Sequence, residues 1–376
     1  MTPKLAFISL WDSANPNVES GYGYSMRRQL QKRYDVVDVF PLGLPGERLW
    51  WPLRAGYKLA GRYYHAMREP AILKTLARRI ERELRAIRPD VVFAPSSIPL
   101  TFVETSLPLA YVTDQMFCDF VESYVRRPAY RFRRLGNAQE ARALANVSRA
   151  SYPSDWAAQS AVRNYGADPA KLTVIPWGAN LPREITEEDV EAGIAGRPSD
   201  RCHLVFLGVD WRRKGGDALV ATVDELNRRG LPTRATVIGC DPEGLPAEKF
   251  AIHPYLDKKR PEHFSLFASI MLNASFLFLP SRADAFPQAF CEATAFGLPA
   301  IGSTAGGIPN LVRDGETGFV LPADASAGRF ADVIAAALAE PIRYREMARE
   351  ARRDHRERLN WDRFGTSLCA VMDELI

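Results

Sequence analysis

The apolar run Phe276-Leu277-Phe278-Leu279, stopped at once by Pro280, constrains this chain more than any other stretch. Consecutive apolar residues ending at a turn signal read as a strand covered on both faces, hence a parallel strand of an α/β sheet. Residues 288–296 contain neither Gly nor Pro and end at Gly297, which predicts a short helix closed by that glycine. Pro299-Ala300-Ile301 starts a second strand, and Gly306-Gly307 is read as the turn into another helix at Ile308. Strand, loop, helix, strand, loop, helix is the rhythm of a doubly wound sheet, whose ligand crevice lies at the carboxyl ends of its strands.

The acidic residues are placed to use such a crevice. Asp284 stands in the loop ahead of the helix, and Glu292 lies within the helix. A helix start leaves backbone N–H groups without partners and so offers an anion site. Pro287 has no N–H, so Gln288 and Ala289 are the expected donors. A carboxylate beside a phosphate is repulsive, and Glu292 is better employed accepting hydrogen bonds from sugar hydroxyls, each worth roughly 1.5–3 kcal/mol. The bland alternative is a sheet edge with a solvated Asp and Glu.

Two acidic residues separated by seven others, then Ala293, Gly297, Pro299, Gly306-Gly307 and Asp314-Gly315-Glu316-Thr317-Gly318, resemble the donor-binding signature of retaining GT-B glycosyltransferases of family 4. That family more often has Glu at the first position and glycines flanking the Phe, where this chain has Asp284, Ala285 and Pro287. The resemblance implies an α/β GT-B fold: two doubly wound Rossmann-like domains facing a cleft that holds a nucleotide-sugar.

Size and composition agree with that scale. At 376 residues the prior is two domains, and 47% hydrophobic with 25% charged residues is ordinary for a soluble enzyme. No apolar run approaches the ~20 residues of a membrane span. The segment from Met1 passes directly into a strand and offers no cleavable signal. Five cysteines without metal-type spacing imply reduced thiols and a cytoplasmic location. A net charge of +4 is too small to imply nucleic-acid binding.

Lys4 to Leu10 reads as the first strand, after which Gly21-Tyr22-Gly23 opens a helix through Arg33, and Val36 to Phe40 is the next strand. A glycine-rich loop after a first strand lets backbone approach a ligand, and a plain turn explains it equally well. The resemblance favours an acceptor or phosphate loop at Gly21, Tyr22 and Gly23. Residues 47–68 interleave aromatic rings with cations, as in Arg48-Leu49-Trp50-Trp51 and Arg62-Tyr63-Tyr64. This suits a membrane interface, a sugar-stacking platform or a lipid-linked acceptor, and equally a helical hairpin with core aromatics and solvated arginines. Ile72, Leu76, Ile80 and Leu84 predict a basic amphipathic helix over 71–88 that extends the same positive face. Arg126-Arg127 and Arg131 to Arg134 add cations, read as a solvated helical face.

Leu109 to Val112 is a strand ending at Thr113-Asp114. The resemblance makes Asp114 the candidate for orienting or deprotonating the acceptor hydroxyl; a helix N-cap is the alternative. Residues 182–200 are polar with prolines and glycines and read as hinge or linker. His203 to Gly208 is a strand opening the second domain, followed by Arg212-Arg213-Lys214 ahead of a helix at Asp217. Cations between a strand and a helix start are well placed to grip a diphosphate. Lys214 matches the family position, whereas Val209 stands where the family has Arg, leaving Arg212 or Arg213 to supply the second cation.

The expected organisation is an acceptor-side domain over 1–181, a donor-binding domain over 182–358, and a helix over 359–376 that returns to the first domain. The resemblance implies a hexosyltransferase-type retaining glycosyltransferase with Asp114, Lys214 and Asp284 as catalytic residues. Its donor site would comprise Gly208, Arg212, Arg213, Lys214, Asp284, Phe286, Pro287, Gln288, Ala289 and Glu292. The co-substrate would be a UDP- or GDP-linked sugar and the acceptor a glycan or lipid-linked hydroxyl; the basic-aromatic face at 48–88 suggests an acceptor on lipid or polysaccharide at the membrane surface, and so peripheral contact at the inner membrane face. No cofactor is implied, and no metal, because the chain lacks any Asp-x-Asp triplet. The rivals are a GT-B sugar-nucleotide epimerase and a non-catalytic sugar-nucleotide-binding protein.

Overall fold

The computed structural model describes residues 2–16, 18–39 and 42–376, without the side chains of Glu19 and Ser20. All strand pairings among the named strands are parallel, and they form two six-stranded sheets. The chain divides into one unit of Met1–Pro176 with Trp361–Ile376 and a second of Trp177–Asn360, so the divisions fall at 176/177 and 360/361 where the sequence placed them at 181/182 and 358/359.

The first unit contains β1 (Lys4–Ile8), β2 (Asp35–Val39), β3 (Val91–Ala94), β4 (Leu109–Val112), β5 (Arg149–Tyr152) and β6 (Leu172–Val174), ordered β2-β1-β3-β4-β5-β6. Its helices are α1 (Tyr22–Leu30), α2 (Trp51–Leu59), α3 (Pro70–Ile87), α4 (Phe117–Tyr124), α5 (Tyr130–Asn146) and α6 (Asp155–Tyr165). Strands β3 and β4 are buried at every residue, as a parallel sheet covered on both faces requires. Helix α1 stops at Leu30 rather than Arg33, and β2 ends at Val39; Phe40, the expected strand end, lies outside the described residues.

The second unit contains β7 (Cys202–Leu207), β8 (Thr233–Ile238), β9 (Phe250–His253), β10 (Phe276–Phe278), β11 (Ala300–Ser303) and β12 (Gly318–Leu321), ordered β12-β11-β10-β7-β8-β9. Its helices are α7 (Glu187–Gly196), α8 (Gly216–Arg228), α9 (Pro261–Asn273), α10 (Gln288–Ala295), α11 (Ala327–Ala339) and α12 (Pro341–Glu357). Helices α8 and α11 pack together, while α7, α9, α10 and α12 form a second group. The last helix, α13 (Trp361–Asp373), packs on α1 in the first unit, where Tyr34 Oη donates to Asp373 Oδ1 at 2.5 Å and to the Cys369 carbonyl at 3.1 Å.

Two sequence expectations are corrected. Residues 182–200 are not a plain linker, because they contain α7. Thr186 accepts a hydrogen bond from the Asp189 N–H, Glu187, Glu188 and Asp189 fill the first turn, and Val190 and Ile194 are fully buried one turn apart. The buried Arg197 then donates to the carbonyls of Leu272, Phe296 and Gly297. The helix expected at Ile308 is only a single turn of 3-10 helix, Ile308–Asn310, before the chain enters β12.

In each sheet the strand order reverses once. In the first it does so between β1 and β3, in the second between β7 and β10. At such a point the loops leaving neighbouring strands turn to opposite faces and leave a crevice between them.

Candidate active site

The loops that follow β7 and β10 carry the residues singled out in the sequence. After β7 the chain turns through Gly208 and the segment 209–215 into α8; after β10 it runs through Ser281 and Asp284 into α10. Lys214 is 8% exposed and Asp284 9%, and Lys214 Nζ donates to Asp284 Oδ2 at 2.5 Å. The same oxygen receives Ser281 Oγ at 3.2 Å and Arg213 Nη1 at 3.3 Å; Arg213 Nη1 also donates to the Ala283 carbonyl at 2.9 Å. Of the two arginines considered, Arg213 therefore joins Lys214 and Asp284. Arg212 is exposed, and its carbonyl accepts from Arg282.

Local backbone makes this convergence possible. Gly208 lacks a side chain where a Cβ would stand 3.1 Å from Lys214 Cγ, so the lysine stem lies against its backbone. Gly306 has φ 56°, and a Cβ there would stand 1.8 Å from the Asp284 carbonyl oxygen, to which the next N–H, that of Gly307, donates at 3.2 Å. The Gly306-Gly307 pair thus clamps the loop carrying Asp284 instead of starting a full helix. Ser303 Oγ donates to the Ser281 carbonyl at 2.5 Å and ties the ends of β10 and β11 together.

Helix α10 starts beside this cluster. Pro287 is its N-cap residue, with no side-chain capping bond, so the first-turn N–H groups of Gln288 and Ala289 are not satisfied by a cap. Both polar atoms of the Gln288 side-chain amide are buried without a hydrogen-bond partner among the described residues. Phe286 packs edge-on against Trp177 at 5.7 Å. One turn into the helix, Glu292 is 4% exposed and forms an ion pair with Lys258. Lys258 comes from the loop between β9 and α9 and was not singled out in the sequence. Its signal there was only a Lys258-Lys259-Arg260 run before a proline; the pairing with a residue far along the chain is a tertiary fact. Cys291 is fully buried and burial pushes its thiol well above the usual range, which makes it packing rather than a nucleophile. At the rim, the hydrogen bond from Arg282 holds the Asp217 carboxyl below its ordinary pKa.

In the first unit, Gly21 has φ 78° and caps α1, whose Tyr22 is the first helical residue. Gly23 packs on Ser13, where a Cβ would meet Ser13 Oγ at 2.9 Å. Asp114 follows β4 and is half-buried, and it is not the N-cap of α4, which is Met116. Among the described residues no group of three or more His, Cys, Asp or Glu side chains is placed to hold a metal ion.

An ammonium and a guanidinium converging beside an uncapped helix start can stabilise a doubly charged anion. A buried carboxylate flanked by a lysine can accept from vicinal hydroxyls.

Residues 22–183 match the family model described as Glycosyltransferase Family 4, and residues 189–354 match that described as Glycosyl transferases group 1. The chain is 28% identical over 225 residues to a D-inositol 3-phosphate glycosyltransferase of Gordonia bronchialis, covering 54% of this chain and 47% of that protein. A protein of the same name from Actinosynnema mirum is 29% identical over 258 residues, 65% of this chain and 61% of that one. The chain thus spans about half the length of the Gordonia relative it matches. Among solved structures, sucrose-phosphate synthase from Thermosynechococcus elongatus superposes with a TM-score of 0.71 at 17% identity, covering 99% of both chains. Anabaena HepE in complex with UDP gives 0.67 at 14%, covering 99% of this chain and 100% of that one.

Proposed function

The chain belongs to the glycosyl transferases of group 1 and family 4, and from that premise we propose that it moves a sugar, with retention, from a nucleoside-diphosphate sugar to a hydroxyl acceptor. The observation that carries this is the meeting of Lys214, Arg213 and Asp284 at the strand-order reversal of the second sheet, beside the uncapped start of α10.

Breaking the bond between the anomeric carbon and the diphosphate puts negative charge on the leaving phosphate while the sugar becomes oxocarbenium-like. Lys214 and Arg213 would stabilise that charge together with the Gln288 and Ala289 amides. An ammonium has three protons, so Lys214 can keep its bond to Asp284 while it receives a phosphate oxygen. Asp284 would hold the donor sugar, and Glu292 the ribose hydroxyls. Lys258 would offset the repulsion between Glu292 and the diphosphate. Asp114 would orient or deprotonate the acceptor hydroxyl. The acceptor is proposed to be a glycan or a lipid-linked hydroxyl, met in the cytoplasm at the inner membrane face.

The test is thermal shift and calorimetry against UDP, GDP, ADP and their sugars, with UDP first because the HepE structure contains it. Donor turnover is then measured with a panel of acceptors that includes D-inositol 3-phosphate, after which the Gordonia and Actinosynnema relatives are named. A diphosphate-dependent rise in melting temperature and a product of unchanged anomeric configuration are expected. No binding of any nucleoside diphosphate overturns the reading, and inversion at the anomeric carbon overturns its retaining part.

A further inference from the structure

Helix α2 and the turn before it are apolar on two faces. Trp50, Leu53 and Tyr57 face inward onto a core that includes Phe117, Val121 and Phe132, and Tyr57 stacks on the buried Tyr64 at 4.9 Å. Trp51, Ala55 and Leu59 recur every fourth residue and so share a different stripe. On that stripe Trp51 is 70% exposed and Leu59 91%, and Leu49 just upstream is 83% exposed. A surface helix ordinarily turns polar residues outward. Large apolar side chains gathered in water on one short helix mark an interaction surface.

A second segment joins the first through the backbone. The Tyr63 N–H donates to the Arg127 carbonyl at 2.9 Å, and the Ala129 N–H donates to the Tyr63 carbonyl at 2.7 Å. This pairing brings Tyr130, 79% exposed, to the end of α2. Arg126 and Arg127 are exposed in the same segment. Between Glu47 and Glu69, and again between Glu122 and Glu140, the sequence has no acidic residue. Exposed Arg54, Lys58 and Arg62 therefore flank the apolar stripe with charge of one sign.

We propose that this face docks on an anionic lipid bilayer, with α2 lying in the interface. Trp51, Leu59 and Tyr130 would enter the boundary between headgroups and acyl chains, and the cations would meet headgroup phosphates. An apolar centre ringed by positive charge complements a surface that is apolar within and negative without. A second copy of this chain would present the same positive ring to itself and be repelled. The surface is narrower than the basic region at 48–88 suggests, because α3 turns Ile72, Leu76, Ile80 and Leu84 into the core and exposes no large apolar side chain. The inference stands apart from the donor reading, since docking is measured without nucleotide.

The experiment is cosedimentation of the full chain with phosphatidylcholine vesicles, with and without phosphatidylglycerol, over a range of salt. Binding to the anionic vesicles alone, weakening as salt rises, is expected. The double variant Trp51→Ser with Leu59→Ser should lose roughly tenfold or more in vesicle affinity. Arg54→Gln with Lys58→Gln should lose a similar factor at low salt and less at high salt. All four side chains are exposed, so both variants should melt as the parent does, which a thermal scan checks. Failure to bind anionic vesicles at low salt overturns the proposal, as does equal binding by the serine variant. Self-association in sedimentation velocity that the serine variant abolishes would show a second copy to be the occupant and overturn it as well.

Discussion

Both sheets are parallel and reverse strand order once, with one strand beyond the reversal in the first and two in the second, and they differ in what they place at that point. At the second, the loops after β7 and β10 bring Lys214, Arg213 and Asp284 onto one carboxylate oxygen. At the first, the loop after β1 brings hydroxyls and glycines. Ser13 Oγ donates to Ser9 Oγ at 3.0 Å, and Asp12 accepts from the Ala14 N–H within its own turn. The fold supplies a strand-order reversal in both; among the described residues, a buried lysine–carboxylate pair stands at the second. A doubly wound sheet is therefore a location for chemistry rather than a chemistry.

The largest effect that could break this contrast comes from Lys214→Ala. Turnover should fall by roughly 10²–10³-fold if Lys214 stabilises the leaving group. Removing Lys214 also destabilises the fold, by less than the roughly 3–5 kcal/mol of an unpaired buried charge, because Arg213 and Ser281 still reach Asp284. Adding Asp284→Asn to Lys214→Ala separates the two roles: it should recover much of the melting temperature and none of the turnover. Recovery of turnover would reduce the pair to a structural ion bridge.

Glycine substitutions compare the two crevices directly. Gly306→Ala puts a methyl group against the Asp284 carbonyl in left-handed backbone, which alone costs roughly 1–3 kcal/mol. A clear fall in melting temperature, with weakened donor binding, is the expected result. Among the described residues Gly23→Ala meets the Ser13 side chain, its Oγ at 2.9 Å, and the gain of about 1 kcal/mol in helix propensity works against that contact. It should melt within a few degrees of the parent, and a fall as large as that of Gly306→Ala would mean the first crevice is equally constrained.

Two smaller effects sharpen the account of the second crevice. Lys258→Ala should weaken nucleotide affinity by roughly tenfold, about 1.4 kcal/mol, with Lys258→Arg restoring part of it. Glu292→Ala should weaken it too, by calorimetry. Unchanged affinity in both variants would remove that ion pair from the donor site.

Much of the architecture could be read from local pattern. The run at 276–279 and its proline gave β10, and Gly297, with φ 54°, closes α10 where a glycine C-terminal signal stood. Helix α9 begins at Pro261 and ends at Asn273, and a proline at the first helical position is itself a start signal. Helix α7 was hidden because only Val190 and Ile194 face the core, and Gly193 and Gly196 resemble linker composition. Its capping signal, Thr186 followed by acidic residues, is present in the sequence. The aromatic-cation segment was open between a core hairpin and an interaction surface. Tyr64 and Tyr57 went inward, as the core-hairpin reading has it, while Trp51 and Leu59 stay exposed, which is the observation the docking proposal starts from.

By itself the sequence determined two parallel wound sheets and the presence of a basic loop and an acidic loop in the second. Strand, helix and turn are set by residue spacing and by glycine and proline, which act over a few positions. Only the tertiary structure decided that Arg213 rather than Arg212 reaches Asp284, that Lys258 covers Glu292, and that Trp51 stays in water while Trp50 packs. Those choices depend on which distant segments share a strand edge or a helix face, and neither local propensity nor composition encodes that pairing.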